Sequence, residues 1–495
     1  MSEIAWRSAR GVRSIVIVGG GTAGWMAAAA LARVLTGTPC TIAVAESGMP
    51  AAAGVGEGTI PNLREFHGFL ELDERDFLNA AHATFKLGTR FRDWGTIGRR
   101  FLHPFGPYGV DVQHELFQAQ WLKRQKAGHP SPLEEWSVTG LAATLGRFAE
   151  RPVKEPSPLR HLSHAYHLDE ALYATFLRSY AEKRGVVRLS GEVIDATLDG
   201  RGLIESVRLR DGRCISGDFF IDCSEAGLLI EGRLNSGFRD WARWLPCDRA
   251  VAIPCARSGD PAVITESTAR RCGWQWRIPL RHRIGNGYVY SSAHLCDDEA
   301  AARLLESLES PPLADPRLLR FKAGCRARAW VGNCLALGPA AVSLEPLEST
   351  GFHLTQTGLG RLFPLFPDRD FDPAVTAEYN RLTALEHEHV RDFLILHYVA
   401  SKRDDSLFWR DCRAMSPPRT LAYKRDLFTK TGRIAMLEEE TFAAASWLAI
   451  YAGLEVWPER HEPSVDILGS SAISERFEVM RGIIRTAVEA LPRSA

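Results

Sequence analysis

Gly19, Gly20, Gly21, Thr22, Ala23 and Gly24 stand between a β-branched run, Ile15-Val16-Ile17-Val18, and an alanine-rich stretch reading WMAAAALAR. Strand, glycine turn and helix in that order form the context in which a GxGxxG spacing binds a dinucleotide. Gly19 permits the tight turn, Gly21 lets the backbone approach a pyrophosphate, and Gly24 lets the helix lie close on the strand. The first turn of that helix, which begins around Thr22 and Ala23, offers N–H groups and a positive dipole end to phosphate. Glu46 closes a second β-like run, Thr41 to Ala45, 22 residues beyond Gly24. A carboxylate at that spacing suits hydrogen bonds from a ribose. The alternative reading is an ordinary glycine-rich turn between strand and helix.

These residues need a sheet to hold them, and the chain predicts one built from separated pieces. The first 60 residues read β-α-β and end in a glycine-rich loop holding Gly54, Gly56, Glu57 and Gly58. Residues 62–95 read as helical. From 96 to 158, Gly, Pro and aromatic residues break the pattern into loops and short elements. Residues 167–184 read as an amphipathic helix. Runs at 186–189, 193–198 and 203–209 alternate between turn signals and predict an antiparallel meander. Residues 219–224 and 334–338 read as buried strands, residues 250–292 as a second sheet, and the chain beyond 350 as mostly helical. The expected fold class is α/β. A Rossmann-like module uses roughly 1–60, 160–230 and 320–370 within a body spanning 1–370. Substrate-side, β-rich segments at 62–160 and 231–319 are inserted into it. A helical, aromatic-rich module follows at 371–495.

Lys plus Arg number 60 and Asp plus Glu number 60, so there is no net field to attract nucleic acid or an anionic membrane. The ten cysteines show no CxxC pair and no metal-ligand spacing. They read as reduced thiols of a cytoplasmic protein that uses no metal. No apolar run approaches the ~18 residues that span a bilayer.

Five segments together resemble the flavin-dependent halogenases of the tryptophan halogenase family: GGGTAGW at 19–25, GVGEGTIP at 54–61, FKLGTRFRDW at 85–94, WQWRIP at 274–279 and EPLESTG at 345–351. The resemblance implies FADH2- and O2-dependent halogenation of an electron-rich, indole-like aromatic through hypohalous acid. It implies that Gly19, Gly21, Thr22, Ala23, Gly24, Glu46, Gly56, Glu57 and Gly338 contact the flavin. Thr350 and Gly351 correspond to a chloride or bromide site of backbone N–H groups. Lys86 corresponds to the family's catalytic lysine, which hydrogen-bonds hypohalous acid or forms a chloramine. Glu348 corresponds to its essential glutamate, which polarises the oxidant or takes the ring proton. Without the resemblance, Lys86 reads as a surface lysine and Glu348 as an acid at a helix start. Trp274 and Trp276, two apart on a strand, share one face and stand between flavin and substrate in the family. His103 and Phe105 resemble an aromatic clamp on the substrate, and Trp447 is an aromatic wall or a core residue.

Two departures qualify the match. The family's DCSGF reads Asp222-Cys223-Ser224-Glu225-Ala226 here, which puts the local turn in question. Halogenases of free tryptophan carry a tyrosine pair where this chain reads GRIAMLEEETF at 432–442. The expected substrate is therefore a neutral or larger aromatic rather than free tryptophan. With no second GxGxxG for a nicotinamide, a separate NAD(P)H-dependent flavin reductase is the expected partner, and a homodimer is compatible. A flavin monooxygenase that hydroxylates its substrate, and a non-catalytic flavin-binding redox sensor, are the competing readings.

Overall fold

A computed structural model describes residues 10–48, 56–111, 116–150, 157–259, 262–467 and 469–493. Gly54 and Val55 of the glycine-rich loop lie outside them. The chain forms two compact units, each assembled from three separated segments.

The first unit takes residues 1–83, 168–243 and 320–388. Its centre is a six-stranded sheet. Ser14–Val18 pairs in parallel with Thr41–Glu46 on one side and Phe219–Asp222 on the other. Val187–Ser190 and Cys334–Ala336 extend it in parallel, and Trp330–Val331 closes one edge antiparallel. All four residues of Phe219–Asp222 are buried, as the continuous apolar run requires of a strand covered on both faces. The helix Thr22–Val34 buries Ala27, Ala28, Ala29 and Ala30 completely, so its backbone lies close against its neighbours. The predicted meander is only partly formed. Val187–Ser190 joins the parallel sheet beside Glu46, while Val193–Leu198, Ile204–Leu209 and Cys214–Ser216 make the antiparallel ribbon. The expected helix at 167–184 starts later, at Glu170. The Asp169 side chain caps it by accepting from Leu172 N–H, and Ala165–Leu168 before it is strand.

The second unit takes residues 84–167, 244–319 and 389–495. A seven-stranded sheet runs through it in the order Arg317–Arg320, Arg249–Cys255, Ile284–Tyr290, Gly273–Pro279, Thr265–Arg270, Gly88–Arg92, Arg100–Pro104. The expected helix over 62–95 holds only for Asn62–Leu70 and Glu74–Ala80. Thr84–Lys86 and Gly88–Arg92 are strands. Gly88–Arg92 has a local partner in Arg100–Pro104, but Ala165–Leu168 beside Thr84–Lys86 and Thr265–Arg270 beside Gly88–Arg92 come from far along the chain, and a local pattern cannot report such pairing. The C-terminal part is helical, with Leu407–Ala414, Arg419–Thr431, Ala444–Gly453 and Ser470–Glu489. No helix among the described residues is long and apolar enough to cross a membrane.

The glycine turn is specified by close approach. A Cβ on Gly24 would sit 1.9 Å from the Gly19 carbonyl oxygen, whereas one on Gly21 would meet nothing within 4 Å. Gly24→Ala is therefore expected to destabilise the fold by about 3 kcal/mol. Gly21→Ala should leave the urea midpoint within the error of the wild-type value. Equal urea midpoints for the two variants would contradict this packing.

Candidate active site

In the first unit the turn after Val18 is shaped to receive a ligand backbone. Gly19 takes φ +111°, and a Cβ there would strike the Cys223 carbonyl 2.8 Å away. The open space over Gly21 is the room that a pyrophosphate needs at the N-terminus of Thr22–Val34. Gly338, at φ +58°, brings a second glycine turn onto the same helix start, where its Cβ would lie 2.5 Å from Ala23. Thr22 donates to the Glu170 carboxylate at 3.1 Å. Glu46 is nearly buried; Trp25 Nε1 donates to it at 3.2 Å and Arg188 forms an ion pair with it. Gly56 has φ +69°, and Glu57 starts the short strand Glu57–Gly58. Glycines that leave an open cradle at a helix N-terminus, with a carboxylate at the next strand end, fit a dinucleotide such as FAD. The altered turn also holds its shape. Asp222 accepts from Ser224, Leu229 and Ile230 N–H groups, Ser224 Oγ accepts from Leu228 N–H, and Glu225 is exposed.

The EPLESTG segment forms a strained turn in the same unit. Glu348 and Ser349 take φ +65° and +60°, a left-handed conformation that costs a non-glycine residue roughly 1–2 kcal/mol each. Glu345, Glu348, Ser349 and Thr350 are all buried. Thr350 stands at the N-cap position of Gly351–Leu362 without a side-chain capping bond, and the first N–H groups of that helix carry the positive dipole end suited to a halide. Sequence reading missed how the helix is anchored. Glu386, 3% exposed, accepts from Thr357 at 2.7 Å and Arg361 at 2.8 Å, and lies 3.3 Å from His353 Nε2.

In the second unit Lys86 is 1% exposed. Its strand pairs with Ala165–Leu168 so that Ala165 lies opposite the lysine. The ammonium sits 5.5 Å from the centre of the Phe105 ring, a cation–π distance. Phe105 is held there because its N–H donates to the Leu87 carbonyl at 3.0 Å. Gly88 lies so close to His103 and Pro104 that a Cβ would meet the His103 carbonyl at 2.4 Å. Lysine and proposed clamp are thus parts of one local assembly.

Trp274 and Trp276 are buried on one face of Gly273–Pro279, with ring centres 6.0 Å apart. Trp94 extends the row, 6.1 Å from Trp274. Gly287 stands directly across from Trp276, and a Cβ there would fall 2.0 Å from the indole, so the glycine makes room for the ring. His103 and Trp447 meet through two rings absent from the sequence-derived set. Phe393 stacks on Phe442 at 3.8 Å, touches Trp447 edge-on at 5.1 Å and lies 5.9 Å from His103. Behind Trp447, buried Lys424 and Glu440 form an ion pair, and the Lys424 ammonium lies 4.2 Å from the Trp447 ring centre. None of the candidate residues lines the apolar cavity of about 430 Å³ flanked by Trp136, Val479 and Ile483.

Comparison with known proteins agrees with this geometry. The tryptophan halogenase family model matches residues 14–470. A tryptophan 6-halogenase of Streptomyces toxytricini is 33% identical, over 97% of this chain and 96% of its own. A tryptophan 7-halogenase of Lentzea aerocolonigenes is 32% identical, over 97% of both chains. The solved structure of BrvH, a flavin-dependent halogenase from Brevundimonas sp. BAL3, superposes with TM-score 0.93 at 46% identity, over 98% of each chain. Xcc4156, a flavin-dependent halogenase from Xanthomonas campestris, gives 0.94 at 43%, over 98% of this chain and 97% of its own.

The Glu386 anchor has a pH signature. Burial alone would raise this carboxyl, but His353 and Arg361 bring it down from 4.5 to about 2. A depressed carboxyl stabilises the fold fully above its ordinary range, and that stability is lost as pH falls from 4.5 towards 2. Glu386→Gln is expected to cost about 3 kcal/mol near neutral pH. It should also flatten the loss of stability below pH 4.5, read from urea titrations across pH.

Proposed function

This chain belongs to the tryptophan halogenase family, and from that premise we propose which of its residues run the reaction and on what class of substrate. It is a flavin-dependent halogenase. Gly19–Gly24 and Gly338 would hold reduced FAD, which with O2 and chloride or bromide would supply hypohalous acid. The observation that carries the residue assignment is Lys86, an ammonium kept 1% exposed beside an aromatic face.

Lys86 hydrogen-bonds the oxygen of hypohalous acid and so fixes where the electrophilic halogen stands. As the ring carbon attacks halogen, the O–X bond breaks and the departing oxygen takes a proton to leave as water. Glu348 accepts the proton lost from the ring carbon, which restores aromaticity. The N–H groups at Thr350 and Gly351 hold the halide. Trp274 and Trp276 keep the organic substrate off the flavin, so the ring is halogenated rather than oxygenated. His103 and Phe105 stack on the substrate, and Phe442, Phe393 and Trp447 extend that aromatic surface.

The substrate is an electron-rich aromatic of the indole class that is neutral where free tryptophan is zwitterionic. The support is Lys424 and Glu440, the buried charges behind Trp447, each of which satisfies the other. A separate NAD(P)H-dependent flavin reductase supplies the reduced flavin.

The test uses purified protein, FAD, a flavin reductase, NADH and bromide, with indole or tryptophan as acceptor and products read by mass. Indole should gain a bromine isotope pattern faster than tryptophan. Lys86→Ala and Glu348→Gln should each lose at least ~10²-fold in product while melting as the wild type does. A gain of one oxygen without halogen would overturn the assignment.

A further inference from the structure

His167 is completely buried, and each of its ring nitrogens meets a threonine hydroxyl. Nδ1 lies 3.2 Å from Thr84 Oγ1, and Nε2 lies 2.9 Å from Thr265 Oγ1. The single proton of Thr84 goes to the Pro279 carbonyl at 2.7 Å. Thr84 must therefore accept from Nδ1–H, which leaves Nε2 to accept from Thr265. Thr84 and His167 face each other across the ladder that carries Lys86, two pairs along from Lys86 and Ala165. Side chains two apart on a strand share a face, so Thr84 and Lys86 point the same way. Pro279 ends the strand of Trp274 and Trp276, and Thr265 begins the strand beside it. The imidazole thus ties the lysine strand to the strand beside the tryptophan strand, and the Thr84 hydroxyl it holds bonds the end of the tryptophan strand itself.

We propose that His167 is a positioning residue for Lys86: through Thr84 and Thr265 it fixes the lysine strand against the tryptophan strand, so that halogen held at Lys86 reaches the ring instead of escaping as hypohalous acid. The proposal rests on the assignment of Lys86 as the halogen-directing group. The site favours the neutral imidazole this geometry needs. Burial drives His167 well below its ordinary range, and the Lys86 and Arg277 charges add to that. An angstrom of play in a reacting group is enough to cost much of its effect, so the loss of this tie should show as leakage before it shows as inactivity.

The experiment measures partition. Halogenated indole and hypohalous acid captured by a β-diketone in solution are counted together, per NADH consumed, for the wild type, Lys86→Ala, Thr84→Val, His167→Phe and His167→Gln. Thr84→Val and His167→Phe should shift the ratio of captured to ring-bound halogen towards release by roughly tenfold at unchanged NADH consumption. His167→Gln keeps one donor and one acceptor, so it should restore most of the coupling. Should His167→Phe fold poorly, Thr265→Val, which keeps the shape and removes the Nε2 contact without touching the Thr84–Pro279 bond, carries the test in its place. An unchanged ratio in Thr84→Val and His167→Phe, while Lys86→Ala leaks, overturns the role of His167 only. A wild-type ratio in Lys86→Ala overturns the assignment on which the role rests. A loss of product that follows melting temperature, with the ratio unchanged, makes the network structural and overturns the proposal.

Discussion

A lysine ammonium held at 1% exposure is the constraint around which the second unit is arranged. Taking such a charge out of water costs several kcal/mol, and the surroundings must return enough of that to keep it folded in. The ring of Phe105 supplies a quadrupole face, and the methyl side chain of Ala165 opposite leaves room for the long stem. His167 adds no positive charge of its own here, being kept neutral by burial in its paired threonine sites. The aromatic density around this point therefore has a physical cause. An aromatic face beside a buried ammonium returns part of the desolvation cost that burial imposes.

The first unit solves a different problem, how to hold a strained acid still. Glu348 and Ser349 sit in left-handed backbone that neither residue type favours. Such a turn persists only if the elements on either side are fixed. The helix that follows it is pinned by Thr357 and Arg361 to Glu386, with His353 alongside. Burying that network is expensive unless every member is satisfied. The depressed Glu386 shows that its partners more than offset the desolvation.

The parts legible in the sequence were those whose chemistry is local. The glycine turn at 19–24 was readable because each glycine answers a steric demand within a few residues. The shared face of Trp274 and Trp276 followed from strand period alone. Lys86 was different. Within Thr84–Arg92 the residue types fit a helix as well as two strands, and the pairing that buries the lysine comes from residues some 80 positions away. Spacing could not separate it from a surface lysine; only the resemblance could. Phe393 and Phe442, and the Lys424–Glu440 pair, left no trace because they meet across loops and helices with no common period. Glu225 in place of the family's glycine read as a threat to the turn. Asp222 and Ser224 carry that turn by themselves, and the exposed side chain that follows them changes nothing they do.

The same accounting bears on what the aromatic surface accepts. A site that binds a zwitterion must present charges to it, and those charges are costly to leave buried when the ligand is away. Lys424 is buried much as Lys86 is, but it pairs with Glu440 and also rests on the Trp447 ring. Breaking that pair to hold an amino-acid head group would leave one buried charge exposed to an apolar wall, which costs more than a weak rim contact returns. A neutral ring demands no such rearrangement. Selection against the zwitterion thus arises from charges that the protein has already neutralised within itself, with no group needed to repel it.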